Sequence, residues 1–401
     1  MTDHAATDAP ELHTPLHQEH LALGATMTSF AGWQMPLRYT SDLEEHRATR
    51  TTAGLFDLTH MGEIDVVGPE AAAALDYALV GAMSKVTIGR AKYTMLCQAD
   101  GGVIDDLVVY RPAEDHFMVV ANASNCAVVV EELRARARGF EVTIVDSSLT
   151  TALLAVQGPA AEAIITAVVD DPAEAEAVRA LPYYAAVPAT VAGVRASVAR
   201  TGYTGEDGFE LFIATDDAVT VWHALRAAGE SHGLVPAGLS SRDSLRLEAG
   251  MALYGQELDR TTTPYDAGLG RVVALDKDVD FVGKAPLRAR AGSEPARVLV
   301  GLEGLTRRAA RTGYRVLMGG GGAGVGTVTS GAPSPTLGHP IAMAYVTPEV
   351  SGPGTLLAVD VRGRAEQVRV VPLPFYRRPL GAERRAVTST NSQTDRLRSH
   401  R

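Results

Sequence analysis

The amino-acid sequence predicts an α+β protein: two related ferredoxin-like α/β halves followed by a C-terminal β-barrel or jelly-roll module. Three observations carry that prediction. A hairpin-then-helix pattern occurs twice, the second copy ending at Gly229. From about residue 296 the texture changes to short apolar runs broken by glycine and proline. The chain has 401 residues, more than the roughly 250–300 at which a single core stops growing.

The first copy opens on Asp106–Tyr110, which alternates like a strand; residues 111–115 (RPAED) turn the chain, and His116–Ala121 reads as the returning strand. A helix follows, capped by Ser124 or Asn125. Cys126, Val129, Val130, Leu133 and Ala137 recur at helical spacing, and Gly139 ends it. The second copy runs Val194–Thr201, turns through residues 204–208 (TGEDG) and returns as Phe209–Ile213. Asp216 or Asp217 then caps a helix carrying Val219, Trp222 and Leu225. In the β-rich region six strands are expected: Val298–Leu302, Tyr314–Met318, Gly326–Thr329, Ile341–Val346, Thr355–Val361 and Val368–Val371. A boundary is expected near 290, because 288–296 is charged and small.

Composition narrows the function classes. There are 37 Lys plus Arg against 47 Asp plus Glu, a net charge of −10, so a nucleic-acid partner is not expected. Two cysteines cannot staple a fold of this length, which points to a reducing, cytoplasmic setting. The opening MTDHAATDAPELHT has neither a basic nor an apolar leader segment, and no apolar run approaches about 18 residues. No membrane partner is expected. Residues 1–11 and 382–401 hold little to bury and are expected to be disordered.

Several motifs do not lead to chemistry. Gly319, Gly321 and Gly324 satisfy G-x-G-x-x-G, but the strand-like residues 325–329 (VGTVT) follow where a dinucleotide site needs a helix; a glycine-rich hairpin turn is expected. His13, His17 and His20 could share a helical face, yet no acidic or thiol partner accompanies them, so no metal is expected. Cys97 and Cys126 read as buried free thiols.

Three segments do point to a pocket. In residues 101–110 (GGVIDDLVVY), strand period places Asp106, Val108 and Tyr110 on one face and Asp105, Leu107 and Val109 on the other. A carboxylate, an aliphatic and a phenol in a row can line a site for a flat polar heterocycle. Spacing alone favours a plainer account, in which both acids cap the turn and Tyr110 edges the core. Phe209, Leu211 and Ile213 make one apolar face and leave Glu210 and Phe212 on the other, with Tyr203 just before the turn. A charged residue inside such a strand needs solvent, a charge partner or a ligand. Residues 240–250 (SSRDSLRLEAG) read as a short helix with capping-box spacing between Ser240 and Asp243. Arg242 and Arg246 share one face of it, as carboxylate forks or as partners of Asp243 and Glu248.

Taken together, these segments resemble the aminomethyltransferase family, the T-proteins of the glycine cleavage system. The matching runs are 30–36 (FAGWQMP), 54–63 (GLFDLTHMGE), 101–110, 200–210 (RTGYTGEDGFE), 240–259 (SSRDSLRLEAGMALYGQELD) and 327–346 (TVTSGAPSPTLGHPIAMAYV). They span roughly 12–378 in the family's order. The resemblance implies two α/β domains with exchanged segments around a central folate-binding hole, and a C-terminal β domain. The implied division is 12–57 with 148–258, 58–147 with 259–290, and 291–381. It also implies the reaction: the aminomethyl group on the dihydrolipoyl arm of H-protein gives its carbon to tetrahydrofolate. The products are 5,10-methylenetetrahydrofolate and ammonia. The implied partners are lipoylated H-protein and folate, with no metal and no nucleotide.

Carried over residue by residue, the resemblance puts the catalytic acid on Asp106 and the folate pocket on Met61, Tyr93, Val108, Tyr110, Tyr203, Glu210 and Arg242. Arg271 stands where many family members have an aromatic, and Thr59 replaces a common serine. Two rivals share the implied fold. One is a stand-alone folate-dependent demethylase of a dimethylsulfoniopropionate-like donor. The other is a non-enzymatic folate-binding protein supporting iron–sulfur enzymes, whose K-G-C-Y-x-G-Q-E motif lacks its cysteine here, at 252–257 (ALYGQE). The long match over 240–259 favours the aminomethyltransferase.

Overall fold

Side-chain alternation sets the two sheets. In the computed structural model, which describes residues 11–379, Val103–Ala113 is a single strand. Leu107 and Val109 enter an apolar core with Ile64, Phe117 and Val119, while Val108 and Tyr110 turn to the other side. The strand lies second in a five-stranded sheet ordered Ala91–Cys97, Val103–Ala113, His116–Ala121, Gly62–Val67, Thr143–Asp146. Helices Ala71–Ala78 and Cys126–Arg136 cover the core side. Pro112 cannot donate to a ladder, and it sits where the pairing slips between Tyr110 and Ala113.

The second copy behaves alike. Phe209, Leu211 and Ile213 pack with Ile164, Trp222 and Leu225, and Phe212 faces away. Its six-stranded sheet runs Ala186–Val191, Val194–Ala199, Gly208–Ala214, Thr151–Gln157, Ala53–Asp57, Leu234–Pro236. Ala53–Asp57 thus belongs to this sheet and the next strand, Gly62–Val67, to the other. Residues 58–61 alone separate them, and the whole five-stranded sheet is inserted between Ala53–Asp57 and Thr151–Gln157 of the other. Between the sheets lies a shared layer: Phe56, Leu153, Ala155, Ala199 and Phe212 from one, Val108, Tyr110, Met118 and Val120 from the other.

The last region closes completely. Val298–Gly304, Pro340–Val346, Gly324–Pro333, Arg315–Met318, Leu356–Val361 and Arg364–Val371 form a six-stranded barrel filled by small aliphatic residues such as Val300, Leu302, Val316 and Val359. The glycine run at 319–324 is the turn of a hairpin, with Gly320 and Gly321 at φ 81° and 89°. A three-stranded sheet of Leu12–His13, Trp33–Arg38 and Thr26–Phe30, not foreseen from the sequence, opens the described chain.

Other expectations need correction. Asn125 and Asp217 stand at the N-caps of their helices as expected, but neither side chain bonds the helix entry. Each helix is entered through a 3₁₀ turn, Ala123–Asn125 or Thr215–Asp217, whose tighter bonds occupy the entry. The helix expected to start at Ser240 runs Leu239–Glu248 from Gly238, so the capping box does not form. Of the segments expected to be disordered, 382–401 and all but Glu11 of 1–11 lie outside the described residues.

One carboxylate fastens these parts. Glu248 is fully buried and accepts from His46 Nε2 at 3.1 Å, Arg50 Nη2 at 2.9 Å, and Thr336 Oγ1 at 2.7 Å, with Ser334 as a further donor. His46 and Arg50 lie on helix Asp42–Thr51, and Ser334 and Thr336 on the loop before the barrel strand Pro340–Val346. Burial alone would raise its pKa, but His46, Ser334 and Arg50 hold it at about 2. Because that pKa is depressed, the stabilisation is present above about pH 4.5 and lost as pH falls toward 2. Glu248→Ala, which strands His46 and Arg50, is expected to cost about 3–5 kcal/mol in urea unfolding at neutral pH. The gap from wild type should shrink as the pH approaches 2; a gap constant from pH 7 to pH 2 contradicts this account.

Candidate active site between the two sheets

Strand register builds the site from both sheets. In the five-stranded sheet Tyr93 pairs with Val108, Val108 with Val120, and Val120 with Glu63, so these four share one row. Asp106 and Tyr110 lie on the same face, two residues to either side of Val108. In the six-stranded sheet Glu210 stands opposite Ala155, which stands opposite Phe56, on the face that meets the first sheet. The polar residues of the two hairpins therefore confront each other across the shared layer.

Asp106 is clamped by neutral donors. Tyr93 donates its hydroxyl to Oδ2 at 2.9 Å, and the Asn122 amide donates to Oδ1 at 3.0 Å. No cation pairs with it among the described residues, so burial keeps its pKa above the usual carboxylate range, against the pull of those two donors. Asp105, on the opposite face and fully buried, accepts from the Asn122 N–H at 3.0 Å and the Asn125 amide at 2.7 Å. Burial, and then the Asp106 charge, push Asp105 up to about 7. The expected turn-capping role of these acids is not what forms: Asp100 caps that turn through the Gly102 N–H at 3.0 Å. Asn125, which the sequence suggested as a helix cap, spends its amide on Asp105 because that carboxylate lies inside its reach.

Glu210 is held from the other sheet. Thr201 donates to Oε2, Tyr110 donates to the same oxygen at 3.3 Å, and the Tyr110 and Thr201 hydroxyls lie 2.9 Å apart. Its second oxygen, Oε1, has no hydrogen bond among the described residues. Tyr203 donates to the Ala252 carbonyl and lies under Arg242, whose guanidinium carbon sits 4.9 Å from the ring centre. Burial raises the Tyr203 hydroxyl, and the charges of Arg246, Asp106 and Arg242 reach it.

The two arginines of the short helix separate. Arg246 is spent inside, bonded to Glu257 at 3.1 Å, Asp243 at 2.8 Å and Ser330 at 2.7 Å. The Arg242 guanidinium has no hydrogen bond or ion pair among the described residues. Burial lowers its pKa, while Glu210 acts in the opposite sense. A half-buried free guanidinium beside a carboxylate with one free oxygen is a donor–acceptor pair set for a polar ligand. Met61 and Val108 pack beside this site on the shared layer. All eight residues singled out from the sequence thus converge. Arg271 does not join them as a charge partner: it is exposed on the turn Gly270–Val272. Thr59 is buried and donates through its N–H to Asp57 at 2.9 Å.

Several neighbours escaped the sequence reading. Asn122 and Thr201 orient the two carboxylates, and Tyr184, at φ 60°, lies within electrostatic reach of Asp106 and Glu210. His60 is 4% exposed, packs edge-on to Phe30, and its Nδ1 lacks a partner among the described residues. Burial, and then Arg242, lower its pKa to about 4, so the ring is neutral. Glu63 is wholly buried with both oxygens unpartnered among the described residues, and burial pushes its pKa well up. The tyrosine pair 183–184 in a stretch of small residues was a visible signal. A lone Asn or Thr at a strand end carries none.

The candidate metal ligands scatter. His13 stacks on His17 at 3.9 Å, and His20 turns inward to Asp57 at 2.8 Å. Among the described residues no group of three or more His, Cys, Asp or Glu side chains could hold a metal ion. No helix among them is long and apolar enough to cross a membrane.

Comparison with known proteins fits this geometry. Residues 16–277 match the GCVT N-terminal domain, and residues 297–377 match the glycine cleavage T-protein C-terminal barrel domain. An aminomethyltransferase of Saccharopolyspora erythraea is 60% identical over 91% of this chain and 98% of its own length. One of Streptomyces coelicolor is 58% identical over 91% and 97%. The crystal structure of glycine cleavage system aminomethyltransferase T from Bartonella henselae superposes with a TM-score of 0.84 at 36% identity, covering 92% of this chain and 98% of that one.

The Tyr93 hydroxyl lowers the pKa of Asp106 by bonding its charged form. Tyr93→Phe is expected to raise the Asp106 titration midpoint, followed by carbon NMR of the labelled carboxyl. An unchanged or lower midpoint would show that this bond does not govern the carboxylate.

Proposed function

The chain belongs to the aminomethyltransferase family, the T-proteins of the glycine cleavage system, and we propose that Asp106 is its catalytic carboxylate, set in a folate pocket of Met61, Tyr93, Val108, Tyr110, Tyr203, Glu210 and Arg242. Its activity is that of a folate-dependent one-carbon transferase. The demethylase and the non-enzymatic binding protein give way to aminomethyltransferase matches over nine-tenths of the chain. The acceptor is tetrahydrofolate, and the donor is the aminomethylated dihydrolipoyl arm of a carrier, H-protein. The chemistry of a soluble, cytoplasmic enzyme agrees with the low cysteine content and acidic balance. We read the two sheets as the cores of α/β domains 12–57 with 148–258 and 58–147 with 259–290, and the barrel as the core of 291–381.

The observation that carries the site assignment is the convergence of Asp106, Glu210 and Arg242 on one layer between the sheets, each with a distinct electrostatic setting. Glu210, with one free oxygen, suits the N–H edge of an aminopyrimidine ring. Arg242 supplies donors to an acceptor or carboxylate of the same ligand. The tyrosines, Met61 and Val108 provide the apolar walls that a flat ring needs.

The reaction breaks the C–S and C–N bonds of the aminomethyl group and two folate N–H bonds. It forms two C–N bonds to folate, and the two protons leave on ammonia and on the dihydrolipoyl thiol. A carboxylate whose pKa is raised by burial is a better proton acceptor than an exposed one, and Asp106 has two neutral donors to hold its orientation. Its place in the mechanism is to take a proton from the attacking nitrogen and to stabilise the cationic character that develops as the C–S bond opens.

Asp106→Asn is expected to lower kcat by about 10²–10⁴ while equilibrium binding of tetrahydrofolate is retained. Normal turnover of aminomethylated H-protein by this variant would sink the assignment. Glu210→Gln should show the opposite split. Folate affinity is expected to fall about 5- to 150-fold, because a neutral amide with its own N–H donors replaces a charged acceptor, and kcat at saturating folate should change far less.

A further inference from the structure

Among the described residues three histidines are buried: His20, His46 and His60. Two of them are fully bonded within the fold. His20 meets Asp57 at 2.8 Å through Nε2 and Tyr39 at 2.9 Å through Nδ1. His46 meets Ser244 at 2.7 Å through Nδ1 and Glu248 at 3.1 Å through Nε2. His60 is the exception. Neither of its ring nitrogens has a hydrogen bond among the described residues, and Nδ1 is sealed from solvent. A buried polar atom without a partner opposes folding, and folded proteins keep few of them.

Local structure fixes the ring all the same. His60 lies on the linker 58–61 between the two sheets, directly before Met61. The linker is tied on both sides of it: the Leu58 N–H donates to the Leu153 carbonyl at 2.8 Å, and the Met61 N–H to the Leu58 carbonyl at 2.9 Å. Phe30 packs against the imidazole edge-on, with 5.5 Å between ring centres at 81°. Phe30 is itself exposed, at the tip of a hairpin turned by Ala31 and Gly32 at φ 51° and 82°. An aromatic left in solvent thus shields a histidine that the fold does not bond.

Burial, and then the Arg242 charge, keep the imidazole neutral, against the pull of Asp57. A neutral imidazole carries one N–H donor and one acceptor. Arg242, without a hydrogen bond or ion pair among the described residues, and Glu210, with Oε1 free, bring the unpartnered polar groups to three. Electrostatic reach links them in order: His60 feels Arg242, and Arg242 feels Glu210. One edge of a reduced pterin has the matching order, an amino group and a ring N–H beside a carbonyl. We infer that His60 is a further folate-binding residue, its ring N–H donating to the pterin carbonyl beside Arg242 while Glu210 takes the neighbouring N–H. This rests on the folate reading given above. A carboxylate of the ligand's tail fits less well at this place, because the Glu210 charge opposes it. The amine of the carrier arm, cationic when protonated, is repelled by Arg242. A neutral carbonyl meets neither penalty, so ligand binding gives His60 the partner that the fold withholds.

The test compares wild type with His60→Leu, an apolar side chain of similar size. Binding of tetrahydrofolate is followed by isothermal titration, and turnover with aminomethyl-dihydrolipoamide as the donor. Because the imidazole bonds nothing in the fold, His60→Leu should melt at or above the wild-type temperature. Its dissociation constant for tetrahydrofolate should rise about tenfold, as for one lost hydrogen bond to a buried acceptor. KM for tetrahydrofolate should follow, with kcat at saturating folate and KM for the donor close to wild type. A tetrahydropterin lacking the benzoylglutamate tail should lose affinity by the same factor. His60→Asn and His60→Gln place an amide near the Nδ1 and Nε2 positions respectively, and one of them should recover part of the loss. Unchanged folate affinity in His60→Leu overturns the inference. So does a melting temperature several degrees below wild type, a loss confined to the tailed ligand, or a loss that neither amide reduces. A wild-type enzyme that binds no tetrahydrofolate would instead overturn the folate reading itself.

Discussion

The buried carboxylate of Glu248 is the interaction on which the working arrangement depends. It joins helix Asp42–Thr51, helix Leu239–Glu248 and the loop carrying Ser334 and Thr336 in a single set of hydrogen bonds. Desolvating such a group is expensive, and apolar packing of the same shape is often as stable. What the carboxylate supplies is a directional tie, because its two oxygens take donors from the helix Asp42–Thr51 and from the loop together. Arg242 lies on the same helix, less than two turns from Glu248. The position of Arg242 is thereby tied to the barrel side of the molecule.

Contrast between carboxylates separates structural from chemical roles. Glu248 is paired with His46 and Arg50, and its pKa is held down at about 2. Asp106 is half-buried and receives only Tyr93 and Asn122, both neutral, and its pKa moves upward. A cation beside the first stabilises its charge, whereas the second keeps its basicity available. The same logic applies across the layer, where Thr201 and Tyr110 leave one oxygen of Glu210 free.

Much of this was readable from residue order. Period two placed Leu107 and Val109 in the core and Asp106, Val108 and Tyr110 opposite them, and the same count isolated Glu210 from Phe209 and Leu211. The broken apolar runs after residue 296 became strands of a barrel. Helix entries were less legible. Asn125 and Asp217 take the N-cap positions, yet a 3₁₀ turn leads into each helix and neither side chain bonds its entry. The three-stranded sheet containing Trp33–Arg38 was missed because Leu12–His13 is two residues long and Pro36 lies within the strand itself.

The supporting residues of the site were illegible for a different reason. Asn122 and Thr201 matter through partners 16 and 9 positions away, and nothing in their own surroundings marks them. The same holds for the separation of Arg242 from Arg246, which helical spacing placed on one face. Only packing against Glu257 and Ser330 consumed one guanidinium and left the other free. Composition determined that the chain is acidic, and local period determined the apolar and polar sides of strands such as Val103–Ala113 and Gly208–Ala214, because these depend on residue identity and order. Tertiary structure alone decided which polar sides meet and which of the paired arginines keeps its donors free, because those facts depend on contacts between segments far apart in sequence.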